Sequence, residues 1–256
     1  MVRPGRRISA GSQATDSRSL DIFGGCDPMR RRAWILSGFA AQTDQARGGK
    51  STCRFDQEDD PTSVIFTGSL DPNSLDPPAA FAAMRTVESW TCPEDLSGYD
   101  AFIVDVKSSD RKQYTLVVKD TPLVRRPDGR VASTVSWEHD FRCDIANGSG
   151  RIILHFTGFK PFFRGRPIED DRQPELKWNN VKSISIMCRS HFGNQEGEFT
   201  MQLYSISAYR YRDSSPEPSK GGSGKPSSRR KRSIQRLRRF FGGSSQWKSA
   251  SKAASK

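Results

Sequence analysis

The residues of this chain that could do chemistry are two histidines in patterned segments, several carboxylate clusters and a glycine-lysine-serine run. His139 and His155 lie within VSWEHDF and RIILHF, and no third ligand stands at a metal-site spacing from either. They read as hydrogen-bonding histidines at the edge of a core. Glu138 and Asp140 share a strand face with Ser136, but alternation with Trp137 and Phe141 puts that face toward solvent. A perturbed carboxylate pair in a cleft would be needed to support an enzyme reading. The acidic run DQEDDP (56–61) offers oxygen ligands of the kind Ca²⁺ takes. It lacks the glycine and glutamate spacing of an EF-hand and reads as a solvated turn. GGKST (48–52) resembles the end of a phosphate loop, yet the first glycine of that motif would fall on Asp44. There is no G-x-S-x-G elbow, and no cysteine has a positioned base. The sequence therefore offers no catalytic residue, no metal site and no cofactor site, and a non-enzymatic binding protein is expected.

Recognition chemistry is better represented. Arg125 and Arg126 precede a Pro-Asp-Gly turn. Lys160, Arg164 and Arg166 interleave with Phe159, Phe162 and Phe163 in a stretch shaped by Pro161, Gly165 and Pro167. Arginine and aromatic rings on a loop suit protein interfaces and ring stacking. They suit oligosaccharide or nucleic-acid contact as well, and the rings could instead plug the edge of a β-sandwich.

The elements that must position these groups read as strands. Ser183, Ser185, Met187 and Arg189 alternate with Ile184, Ile186 and Cys188. Phe199, Met201, Leu203 and Ser205 alternate with Thr200, Gln202, Tyr204 and Ile206. SHFGNQEGE joins them, with Gly193 and Gly197 as turn residues. Tyr99 to Val106 and Tyr114 to Val118, joined by a polar turn, read as a hairpin. The expected core is Phe66, Phe102, Val104, Val106, Leu116, Val118, Trp137, Ile153, Phe156, Ile184, Ile186, Phe199, Leu203 and Ile206. Short strands, frequent turns and few helical patterns predict an all-β, antiparallel β-sandwich.

One ordered series of motifs is more specific than any single one. It comprises IFGG (22–25), DQARGGKS (44–51), LSGYDAFIVDV (96–106), YTLVVKD (114–120) and RRPDGR followed by SWEHDF (125–141). F-x-P-x-x-R-G (159–165), the strand ending in Met187, Arg189 and Ser190, and F-G-x-Q-x-G-x-F (192–199) complete it. Over residues 22–210 this series resembles the complex I intermediate-associated protein 30 family in its fungal form. The chain departs from the family's pair of aspartates, with Thr43 before Asp44. The resemblance implies a jelly-roll of the galactose-binding type and assigns FAAMRTVESW (81–90) to a strand. It also implies a non-enzymatic assembly factor or chaperone for mitochondrial complex I, with an assembly intermediate and other assembly factors as partners. The residues expected to touch a partner are Arg47, Arg125, Arg126, Phe159, Lys160, Phe162, Arg164, Arg189 and Phe192. The other reading is a carbohydrate-binding jelly-roll outside mitochondria, with Trp137 and Trp178 as the candidate platform.

Charge divides the chain into three parts. The net charge is +12, of which 213–256 contribute +10 and 1–20 contribute +3, leaving the body at −1. The basic charge of the whole chain therefore says nothing about a nucleic-acid-binding core, and no specific nucleic-acid partner is expected. Residues 1–20, arginine- and serine-rich and poor in acids, have the composition of a mitochondrial presequence or of a disordered basic terminus. Residues 21–211 form the β-sandwich, and 212–256 form a disordered basic tail. In that tail Ile234, Leu237 and Phe241 give one short amphipathic face, suited to an anionic membrane surface. A nuclear-import patch or nonspecific RNA contact would use the same charges. Five cysteines without a C-x-x-C pair suggest a non-oxidising compartment, with Cys188 a reduced core thiol. The expected location is mitochondrial, on the matrix side at the inner membrane, with cytosol or nucleus as the alternative.

Overall fold

The computed structural model describes residues 18–25, 27, 29, 31–57, 60–128, 130–143, 150–169 and 174–211. The basic N-terminal segment up to residue 17, the tail from residue 212, Cys26, and Glu58 and Asp59 of the acidic run lie outside them.

The alternating segments form the strands β1 (Ser19–Gly24), β2 (Phe39–Thr43), β3 (Thr52–Asp56), β4 (Val64–Leu70), β5 (Phe81–Thr86), β6 (Ala101–Ser109), β7 (Gln113–Lys119), β8 (Ser136–Arg142), β9 (Gly150–His155), β10 (Lys160–Phe163), β11 (Arg166–Pro167), β12 (Ser183–Arg189) and β13 (Gly197–Tyr209). They build two antiparallel sheets. A six-stranded sheet runs β3-β4-β13-β6-β9, with β1 added along β13. A seven-stranded sheet runs β11-β10-β8-β7-β12-β5-β2. Apolar residues of the two sheets interdigitate: Phe66 of β4 and Tyr114 of β7 have ring centroids 6.2 Å apart. The fold is thus the expected antiparallel sandwich, and FAAMRT is a strand.

Two expectations need correction. β6 and β7 are not a hairpin, because β6 pairs with β13 and β9 while β7 pairs with β12 and β8. The turn between them crosses from one sheet to the other, as jelly-roll connections do. Ile153 is not core: on β9, at the end of its sheet, it is 48% exposed. The other expected core residues are buried, save Phe156, which packs partly buried against the cluster.

Strand β13 changes face along its length. Phe199, Met201 and Leu203 point into the core, and so do Ile206 and Ala208. A register shift around Tyr204 makes this possible, since an extra residue swaps the faces of everything beyond it. The indole Nε1–H of Trp34 donates to the carbonyl of Tyr204 at 3.0 Å. Gly24 packs against the same carbonyl at φ +64°, where an added Cβ would lie 2.1 Å from that oxygen. Only glycine accepts both the conformation and the contact.

Candidate functional site

One face of the seven-stranded sheet turns away from the core, and alternation fills it with polar side chains. A row across five strands reads Arg85, Ser185, Val117, Glu138 and Lys160. The next reads Ala83, Met187, Thr115 and Asp140. This mixed polar face is the candidate binding surface.

Arg189 organises its centre. From β12 its side chain reaches over β7 to two carboxylates on β8, meeting Glu138 at 2.5 Å and Asp140 at 2.6 Å. Thr115 and Val117 on the intervening strand are buried. Ser136 donates to Glu138 at 2.9 Å, and Thr115 to Asp140 at 2.6 Å. Gln113 donates to the other oxygen of Asp140 at 3.0 Å. The guanidinium of Arg189 also lies 5.5 Å from the ring centroid of Phe162. Its Nε–H is buried and has no hydrogen-bond partner among the described residues.

The expectation for Glu138 needs correction. The residue lies on the side of β8 that turns away from the core, as alternation indicates, and Asp140 on that side is exposed, but Glu138 itself is buried, at 7% exposed. Burial raises its pKa, and the charges of Arg189 and the bond from Ser136 offset this only in part. A carboxylate pair held by a shared arginine is an ion-pair network. The Ser136 and Thr115 hydroxyls and the Gln113 amide complete it as donors to the two carboxylates.

A second cluster occupies the other end of the face. Arg85 is 5% exposed and bonds to the Thr86 carbonyl at 3.0 Å and to Glu88 at 2.8 Å. Arg125 meets the same oxygen of Glu88 at 2.9 Å. Lys119, in register with Ser183, donates to Thr134 at 3.1 Å. Burial lowers its pKa, the nearby Arg85 adds to this, and Glu138 opposes it.

The loops at the rim are tied to the sheet. Gln195 receives the Gln113 amide at 3.0 Å and donates to the carbonyls of Gln113 and Arg189 at 3.0 and 2.6 Å. Ser190 donates to the Pro78 carbonyl at 2.7 Å and accepts from the Ala80 amide at 3.0 Å. His191 and Phe192 take left-handed backbone, φ 46° and 60°, which non-glycine residues rarely adopt. Phe192 is 69% exposed.

The structure brings Arg189, Lys160 and Phe162 together on the open face, with Arg125 at its far end through Glu88. Arg47 lies at the rim, donating to the Ala79 carbonyl at 2.8 Å, with its guanidinium 5.4 Å from the Phe81 ring. Arg126 pairs with Asp128 at 3.8 Å in its own turn. Arg164 sits at the tip of the β10–β11 turn with Gly165, φ 52° and 75°. Phe159 is different: it is 7% exposed and packs edge-on against Phe102, Trp178 and His139, so it belongs to the core. Trp137 is core as well, and Trp178 lies flat on Phe156 at 3.6 Å, so neither forms an exposed platform. Arg85 and Lys119 were not anticipated. Alternation puts each on the polar face of its strand, but their neighbourhood depends on the strand order.

The glycine-lysine-serine run holds no phosphate cradle. The buried carboxylate of Asp44 accepts from the Ser51 amide at 3.1 Å, the Ser51 hydroxyl at 2.6 Å and the Phe81 amide at 3.2 Å. An anion belonging to the protein already fills this place. The Asp60 end of the acidic run receives the Thr62 amide and hydroxyl, at 3.0 and 2.5 Å, in a turn.

The sequence matches the profile of complex I intermediate-associated protein 30 (CIA30) over residues 32–203. The chain belongs to the CIA30 family. An uncharacterized protein of Schizosaccharomyces pombe is 30% identical over 181 residues, which are 68% of this chain and 79% of that protein. Among solved structures, the chain resembles the family 11 carbohydrate-binding module of the cellulosomal cellulase Lic26A-Cel5E of Clostridium thermocellum. There the identity is 15% and the TM-score 0.46, over 76% of this chain and 94% of the module. The same module in complex with a β-1,3-1,4-mixed-linked tetrasaccharide gives 15% and 0.46, over 75% and 95%. Similarity at this level carries no inference about ligands for this CIA30 family member. Family membership relates it to complex I assembly.

Proposed function

We propose that this protein is a non-catalytic assembly factor that binds an intermediate of mitochondrial respiratory complex I. The observation that carries this reading is the family match over residues 32–203, which takes in nearly all of the sandwich. The client polypeptide docks on the open face of the seven-stranded sheet. Arg189, Lys160 and Phe162 contact it at the centre, Arg125 at the far end, and Arg47, Arg126, Arg164 and Phe192 at the rims. Binding side chains on loops around a rigid β scaffold are a common arrangement. The protein acts on the matrix side of the inner membrane, beside other assembly factors. The charge of residues 213–256 adds attraction to an anionic membrane surface.

The test is a native gel of mitochondrial membranes from cells that carry a tagged copy. The tagged protein should comigrate with a subcomplex smaller than complete complex I, and deletion should deplete complex I. A cytosolic or nuclear protein, with complex I intact in the deletion strain, would overturn the reading.

A further inference from the structure

Two cations are sunk into the open face of the seven-stranded sheet with little negative charge to balance them. The Nε–H of Arg85 is buried and has no hydrogen-bond partner among the described residues. The single carboxylate oxygen that Arg85 meets, Oε1 of Glu88, is also met by Arg125. Lys119 forms a bond with the neutral hydroxyl of Thr134. Glu138, the other carboxylate near Lys119, is engaged by Arg189 and Ser136. Between Arg85 and Lys119 runs β12, with Ser185 in register with Arg85 and Ser183 in register with Lys119.

Buried charges in folded proteins are paired, because leaving water without a counter-charge is costly. We propose that Arg85 and Lys119, over the Ser183–Ser185 floor, form a subsite for the carboxylate of an acidic side chain on a bound polypeptide. The donors are the free Nε–H of Arg85, the remaining ammonium hydrogens of Lys119 and the Ser185 hydroxyl. They match the acceptor capacity of one carboxylate. The two terminal nitrogens of Arg85 are already engaged, so the guanidinium fork is not offered to a phosphate. Ala83, Val117, Met187 and Phe162 on the same face supply apolar neighbours for the rest of a peptide. The proposal rests on the reading that this face takes a client polypeptide.

The test uses the full chain, isotope-labelled, titrated with an end-blocked peptide that contains one glutamate. The matching glutamine peptide, succinate and inorganic phosphate serve as comparisons. The glutamate peptide should shift the amide signals of Arg85, Lys119, Ser183 and Ser185, and the glutamine peptide should not. Lys119→Gln should weaken binding about tenfold, the size of one lost charge-assisted bond, and Lys119→Arg should keep it. Equal shifts with both peptides, unchanged affinity in Lys119→Gln, or no shift at all would overturn the subsite. Binding of succinate or phosphate without the glutamate peptide would overturn it in favour of a small free anion. In cells, a normal complex I level in Lys119→Gln, against a depleted level in the deletion strain, sinks the subsite alone. A deletion strain with intact complex I sinks the assembly reading and leaves the peptide result standing.

Discussion

The guanidinium of Arg189 reaches Glu138 at 2.5 Å by crossing over a neighbouring strand, and together with its contact to Asp140 this ties β12 to β8 on the open face. Truncating Arg189 leaves Glu138 buried without its counter-charge. Arg189→Ala should therefore cost about 3–5 kcal/mol in denaturant unfolding. Arg189→Lys should recover part of this, since an ammonium is a single point and cannot fork between two carboxylates. Adding Glu138→Gln to Arg189→Ala should restore stability relative to the single variant. If the two losses simply add, the pair is not coupled.

The raised pKa of Glu138 has a consequence for pH. The folded carboxyl holds its proton at a higher pH than the unfolded one, so the folded state binds more protons. Its stabilising share is complete below the ordinary glutamate pKa of about 4.3 and is lost as pH rises through the folded value. Wild type should therefore gain stability relative to Glu138→Gln as pH is lowered through the folded value toward about 4.3. Lys119 works in the other direction at the alkaline end. Its folded pKa is lowered, so stability is gained as pH rises from the folded value toward about 10.4. Unfolding curves for wild type, Glu138→Gln and Lys119→Gln across pH would read both signs.

Asp44 is a structural carboxylate, and its loss should be felt in folding. Asp44→Ala strips acceptors from the Ser51 and Phe81 amides and from the Ser51 hydroxyl. Unsatisfied buried donors cost about 1–3 kcal/mol each, so a total loss of roughly 3 kcal/mol or more is expected. Gly49→Ala should match it by a different route, because its Cβ would lie 2.2 Å from the Asp44 carboxylate. Thermal unfolding of the two variants checks both, and a Gly49→Ala protein as stable as wild type would refute the packing argument.

Phe159 and Phe192 should respond oppositely to truncation. Phe159→Ala opens a cavity beside Phe102 and Trp178 and should cost about 3–5 kcal/mol. Phe192→Ala, at an exposed rim, should stay within about 0.5 kcal/mol of wild type. Recovery of the complex I subcomplex with Phe192→Ala, compared with wild type at equal protein level, reads its contribution to client binding.

Local residue pattern specifies the element types and the two faces of most strands. Period-2 alternation is a local property, so it separates the core residues Ile184, Ile186 and Cys188 from Ser183, Ser185 and Arg189 without any partner in view. The family was also legible, because its motifs recur in order along the chain. Tertiary structure alone decided which strands are neighbours. The β6–β7 turn carries ordinary hairpin chemistry, yet pairing energy comes from other strands far along the chain. It also decided the register shift near Tyr204 that lets Phe199 and Ile206 share the core from one strand, because the Trp34 bond that satisfies that carbonyl comes from a distant segment. Glu138 shows the same limit. Its place on the polar face was readable, but its burial was not, because the arginine that meets it arrives from a strand two positions away in the sheet. The Arg85–Lys119 cluster is hidden for the same reason: side-chain charge is written in the sequence, whereas desolvation and counter-charge depend on what the fold places beside it.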